Sequence, residues 1–148
     1  MQFTSILSPR RTLCGATGGS KKRVLELLAQ HIAADIPDID EDQLFRSLIA
    51  REKLGSTGLG NGIAIPHCRL ENCTATVGTI ITLHTPIDFD AIDEQPVDII
   101  FALLVPEEAH DEHLQTLASL AEKCSQPSYL KGLRSATSNE ELYQAAIR

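Results

Sequence analysis

His67 stands directly after a proline, at the end of the stretch Gly55-Ser56-Thr57-Gly58-Leu59-Gly60-Asn61-Gly62-Ile63-Ala64-Ile65-Pro66-His67. An imidazole nitrogen that is unprotonated near pH 7 can attack phosphorus, and the phosphoramidate formed is labile enough to pass the group on. Pro66 fixes its own φ and biases Ile65 towards an extended backbone, so the His67 side chain is expected to project in a defined direction at the edge of a sheet. The glycines before it allow positive φ and let backbone N–H groups converge on an anion, with Ser56, Thr57 and Asn61 as added side-chain donors. Taken alone, a glycine-rich stretch is more simply a flexible turn, and an isolated exposed histidine is more simply solvated. This stretch is not a P-loop, because no lysine follows the glycines in the Gly-Lys-Ser/Thr arrangement and it does not lead from a strand into a helix.

Phosphoryl transfer asks the protein for positive charge and hydrogen-bond donors around three equatorial oxygens, and for little else. The cations at hand are Arg51, in the last helical turn before the glycines, and Arg69, just after His67. Each has a plainer reading too: Arg51 complements a helix C-terminus, and Arg69 faces solvent or an acidic neighbour. A second pair, His110 and His113, falls near the start of a helix, where the macrodipole favours neutral imidazole able to donate to a phosphate. Which of the two points inward is open. As metal ligands they are weak, since their spacing of three comes with no third ligand in a known pattern, and a metal hydrolase using His67, His110 and His113 is a poor third reading. Cys68 and Cys73 do not have a standard zinc spacing either. No metal and no cofactor is expected.

Helices and strands must hold these residues in place. Residues 1–19 read as a lead-in with one short strand near Thr12–Ala16, and residues 20–148 as the domain proper. Ser20 caps a first helix whose Val24, Leu27, Leu28 and Ile32 recur at helical spacing until Pro37 forbids continuation. His31 lies on or beside that stripe and reads as a packed histidine. Asp40 followed by Gln43 opens a second helix, with Leu44, Phe45, Leu48 and Ile49 on one face and Gly55 as its stop. The glycines then form a loop feeding a strand at 63–65 that Pro66 closes. Residues 77–83 and 97–105 are apolar enough for strands covered on both faces, joined by an acidic connection over 85–96. A third helix carries Leu114, Leu117, Ala118, Ala121 and Cys124. A short helix follows over 129–135, and Ser138-x-x-Glu141 caps a terminal helix. With no internal repeat or interior linker, the order predicts a single α/β domain.

Composition narrows the function classes. A chain of 148 residues with 43% hydrophobic and 22% charged residues has enough core to fold without staples. A formal net charge of −7 disfavours nucleic acid and anionic lipid, and only Arg10-Arg11 and Lys21-Lys22-Arg23 cluster as positive spots. No apolar run reaches the roughly 20 residues of a membrane span and no secretory leader is visible, so a cytoplasmic protein without direct membrane insertion is expected. The four cysteines are irregularly spaced and read as reduced thiols.

The stretch 55–67 resembles the phosphorylation-site motif of the mannitol/fructose-type enzyme IIA proteins of the bacterial phosphotransferase system. Residues 89–106, from Phe89-Asp90-Ala91 to Leu104-Val105-Pro106, and His113-Leu114-Gln115-Thr116-Leu117-Ala118 are similar to its nitrogen-regulatory branch. The likeness runs from about residue 20 to residue 143. It implies a mixed β-sheet flanked by helices on both faces, and phosphorylation of His67 through Nε2 by an HPr-like, nitrogen-type phosphocarrier. It also implies that Arg51 contacts the phosphate and that His113 lies beside His67. In this branch the phosphorylation state regulates nitrogen- and potassium-linked processes by altering binding to targets such as potassium-transport or sensor-kinase proteins. Two residues depart from the pattern: Cys68 where Gly is usual, which places a thiol next to the reactive histidine and raises the question of redox sensitivity, and Arg69 where Lys is common, which keeps the charge. The competing readings are a sugar-specific IIA passing its phosphoryl group to a IIB cysteine, and a binding module that is not phosphorylated at all.

Overall fold

The computed structural model describes residues 3–108 and 111–148, and of residues 111–113 the backbone alone. Its centre is a mixed six-stranded sheet of β1 (Thr12–Ala16), β2 (Gly58–Gly60), β3 (Ile63–Ala64), β4 (His67–Leu70), β5 (Val77–Ile87) and β6 (Val97–Pro106), in the order β1-β5-β6-β3-β2 with β4 also paired to β6. β1 runs parallel to β5, β5 antiparallel to β6, and β3 and β4 follow one another parallel to β6 along its other side.

Five helices cover both faces: α1 (Lys21–Asp35), α2 (Glu41–Leu54), α3 (Asp111–Cys124), α4 (Pro127–Ser135) and α5 (Asn139–Ala146). The sequence of β6 shows why both faces must be covered. Ile100, Ala102 and Leu104 are buried with the apolar sides of α1 and α2, whereas Ile99, Phe101 and Leu103 are buried with those of α3, α4 and α5. A strand apolar at every position is what the period-2 geometry requires between two helical layers. The fold is the α/β sandwich expected from the resemblance. Phe3, Ile6 and Leu7 join the second of these clusters, so the segment before Ser20 packs into the same core.

Local chemistry sets the helix starts. The side chains of Ser20, Asp40 and Ser138 accept from the backbone N–H of Arg23, Gln43 and Glu141, the third residue of each helix. Pro127 occupies the first turn of α4, where its missing N–H costs nothing.

Three expectations are corrected. The glycine-rich stretch is not a plain loop: β2 and β3 form a hairpin, with Gly60 opposite Ile63 and Asn61-Gly62 as the connection. Both connecting residues take positive φ, 57° and 81°, which a two-residue primed turn needs. Secondly, the strand expected over 63–65 with Pro66 as its close continues beyond the proline: His67 opens β4, because Pro66 only interrupts the edge that β3 and β4 share against β6. Thirdly, the buried line of α3 runs through Thr116, Leu120 and Cys124, while Leu114 is 65% exposed and Ala118 faces solvent. The spacing of four is helical, but Thr116 occupies a core position that its residue type does not announce. Among the described residues no helix is long and apolar enough to cross a membrane.

Candidate functional site

The C-terminal turn of α2, the chain that leaves it, and the first residue of β4 converge on one end of the sheet. Gly55 closes α2, donating its N–H to the Glu52 carbonyl, and its own carbonyl accepts from Arg51 Nη1 at 2.9 Å. Arg51 is thus half-buried over the end of its own helix, where a cation complements the exposed carbonyls.

His67 pairs with Leu103 of β6, and its neighbours Cys68 and Leu70 point into the core beneath α1 and α2. Strand alternation therefore sends His67 and Arg69 to the opposite face, the one covered by α3. The His67 Nδ1 lies 2.8 Å from the Ile65 carbonyl oxygen. A carbonyl can only accept, so Nδ1 carries the proton and Nε2 keeps its lone pair. Burial lowers the pKa of His67 below the ordinary histidine value and the Arg51 guanidinium pushes the same way, outweighing the Ile65 hydrogen bond and the Glu52 carboxylate, which raise it. At neutral pH the ring is a neutral, oriented imidazole, the state a nucleophile needs.

Behind Arg51 lies a buried polar cluster. The Glu52 carboxylate accepts from Thr57 N–H at 3.0 and 3.3 Å, from the Thr57 hydroxyl at 2.5 Å and from Lys21 Nζ at 3.1 Å. Lys21 also pairs with Asp90 at 3.0 Å and sits 5.2 Å from the centre of the Phe89 ring. Burial works against the Lys21 ammonium, but its hydrogen bonds to Asp90 and Glu52 and their charges prevail and raise its pKa. Sequence reasoning passes over Glu52. Its one signal is an anomaly, a carboxylate in the last turn of a helix, where the macrodipole opposes it.

The candidate residues divide accordingly. His67 and Arg51 come together, close enough for the guanidinium charge to act on the imidazole. Arg69 is exposed on the same side of β4 as His67. His113 lies in the first turn of α3, but its side chain, like the whole of His110, is outside the described residues. Ser56 and Thr57 are not free phosphate donors: the Ser56 hydroxyl donates to the Phe89 carbonyl at 2.7 Å and accepts from Gly58 N–H, while Thr57 is spent on Glu52. Asn61 is further away still. Ile63 registers with Ile99 and His67 with Leu103, so Ile63, next to the hairpin tip, is four residues from His67 along β6, roughly 13 Å at 3.3 Å per residue. There Asn61 donates its N–H to Asp93 and accepts from Arg134 through its carbonyl. Cys68 is turned away from the imidazole, and burial, with a smaller effect of Cys73, pushes its thiol up to about 12, the setting of a core thiol that holds its proton. Among the described residues no group of three or more His, Cys, Asp or Glu side chains could hold a metal ion.

Comparison with known proteins bears on the same arrangement. The family model of the phosphoenolpyruvate-dependent sugar phosphotransferase system, EIIA 2, matches residues 5–147. The nitrogen regulatory protein of Pseudomonas aeruginosa is 48% identical over 147 residues, covering 99% of this chain and 96% of that protein. The crystal structure of nitrogen regulatory protein IIA-Ntr from Neisseria meningitidis matches with a TM-score of 0.88 at 40% identity, covering 96% of this chain and 97% of that one. The mannitol enzyme IIA of Escherichia coli, solved in complex with phosphorylated enzyme IIB, gives a TM-score of 0.78 at 17% identity, covering 95% of this chain and 98% of that one, and shares the fold.

Proposed function

The chain belongs to the EIIA 2 family of the phosphoenolpyruvate-dependent sugar phosphotransferase system, in its nitrogen-regulatory branch, and on that premise we propose that it is a cytoplasmic histidine phosphoryl carrier whose acceptor is His67 Nε2. The observation that carries this reading is the 2.8 Å contact of Nδ1 with the Ile65 carbonyl, which fixes the tautomer and leaves Nε2 as the unprotonated, nucleophilic nitrogen. The donor is the phosphohistidine of an HPr-like, nitrogen-type phosphocarrier. The Nε2 lone pair forms a bond to phosphorus, the donor's P–N bond breaks, and its electron pair returns to the donor imidazole. Nδ1 keeps its proton throughout. Arg51, resting on the Gly55 carbonyl through one N–H, offers its remaining N–H groups to the equatorial oxygens, with Arg69 adding positive charge at the rim and His113 approaching from α3.

In this reading the phosphorylated and free forms bind regulatory targets differently, potassium-transport or sensor-kinase proteins among them. A doubly charged group beside Arg51 changes the local field enough to alter a protein contact. Incubation with phosphoenolpyruvate, enzyme I and the nitrogen-type phosphocarrier is expected to add the mass of one phosphoryl group, labile to acid. His67→Ala should abolish it. A mass increase that survives this substitution, or no increase in the wild type, would overturn the proposal, and faster labelling from a sugar-type phosphocarrier would point to sugar transport instead.

A further inference from the structure

Arg51 and Glu52, consecutive on α2, grip the same three residues of chain. Arg51 holds the carbonyl of Gly55 at 2.9 Å, and Glu52 holds both the N–H and the hydroxyl of Thr57. From the side away from the helix, Ser56 is tied to the Phe89 carbonyl, and Lys21 spans from Glu52 to Asp90. A carboxylate that is 8% exposed in the last turn of a helix is unfavourable by itself, both for its burial and for its opposition to the helix dipole. It is held there by Thr57 and Lys21.

We infer that Glu52 is a positioning residue of the transfer site: by drawing Thr57 back over the end of α2 it fixes the Gly55 carbonyl on which the Arg51 guanidinium rests, and it keeps a negative charge within range of His67. This rests on the carrier reading of His67. Without Glu52, Thr57 loses its acceptor, Lys21 keeps only the exposed Asp90, and the turn that carries Gly55 is free to move. Displacing a substrate-facing guanidinium by about 1 Å can cost on the order of 100-fold in rate. The charged groups set around His67 among the described residues are Arg51 and Glu52 on α2 and Arg69 on β4.

Two variants separate the tether from the charge. Glu52→Gln keeps the shape and one acceptor oxygen but removes the charge; its rate of phosphorylation by the phosphocarrier is expected to fall about 10-fold, and the titration of His67 followed by NMR to move to lower pH. Thr57→Val keeps the charge and cuts the hydroxyl from the tether; its rate is expected to fall several-fold with the His67 titration unmoved. A wild-type rate in Glu52→Gln overturns the inference, as does a slower rate with an unchanged titration, which would mark a purely structural role. If Glu52→Gln does not fold, Thr57→Val decides, and a wild-type rate there overturns it. Failure of the wild type to be phosphorylated at His67 sinks the carrier reading instead, while the titration arm still reports whether Glu52 acts on the imidazole.

Discussion

Two glutamates in this chain clamp a threonine in the same way, one at the end of α2 and one at the start of α5. Glu52 accepts from the N–H and hydroxyl of Thr57, and Glu141 accepts from the N–H and hydroxyl of Thr137, with distances of 3.0 to 3.2 Å at the latter. The surroundings differ in every respect. Glu141 sits in water in the first turn of its helix, where the macrodipole welcomes it. Glu52 is buried in a last turn, against the dipole, with a lysine and a second loop depending on it. Identical hydrogen bonds therefore do opposite kinds of work. The exposed clamp competes with solvent and adds a little helix stability, whereas the buried one joins three elements and could not be removed without leaving its partners unsatisfied.

The comparison breaks most visibly under alanine. Glu52→Ala should lower stability by about 3 kcal/mol, the range for removing one partner of a buried, hydrogen-bonded ion pair, read as a lower denaturant midpoint with an unchanged slope. Glu141→Ala should shift that midpoint only slightly. Equal effects would mean that burial is not what separates the two clamps. At the threonines the contrast narrows: Thr57→Val leaves an oxygen of the buried Glu52 without its hydroxyl donor, at a cost of about 1–2 kcal/mol, while Thr137→Val replaces a contact that water can make.

The same contrast explains what was legible in the sequence. Helix starts at Ser20, Asp40 and Ser138 are local decisions, made by one side chain and an N–H three residues on, and each is where the sequence places it. The continuous apolar run of β6 likewise announces a strand covered on both faces. The hairpin of β2 and β3 was also legible, since Asn61-Gly62 is a strong turn signal, but the density of glycines hid it behind the idea of a phosphate-binding loop. What could not be read is which donors are already engaged. Ser56 and Thr57 have the right chemistry for a phosphate, yet their partners, Phe89 and Glu52, are fixed by tertiary packing. The question raised by Cys68 has the same root: it follows His67 in sequence, but adjacency along a strand puts the two side chains on opposite faces.

The smallest effect lies at the exposed clamp and separates it from the site by pH. Hydrogen bonds from the Thr137 backbone and hydroxyl lower the pKa of Glu141 below its ordinary value near 4.5. The stabilisation they bring is fully present above that value and is lost as pH falls through the lower, folded-state pKa. His67 also has a lowered pKa, but for a base the unfolded chain then takes up its proton first, so stability begins to fall as pH drops below the ordinary value of 6.5 and stops falling below the folded-state pKa. Thermal denaturation across pH should show the two windows apart. Glu141→Gln should remove only a slight acid limb below about pH 4.5, one that salt also weakens because the group is exposed. His67→Ala should instead flatten the decline that starts near 6.5. A Glu141 limb as deep as that of His67, or one that ignores salt, would show that the exposed clamp is held more like the buried one than its surroundings allow.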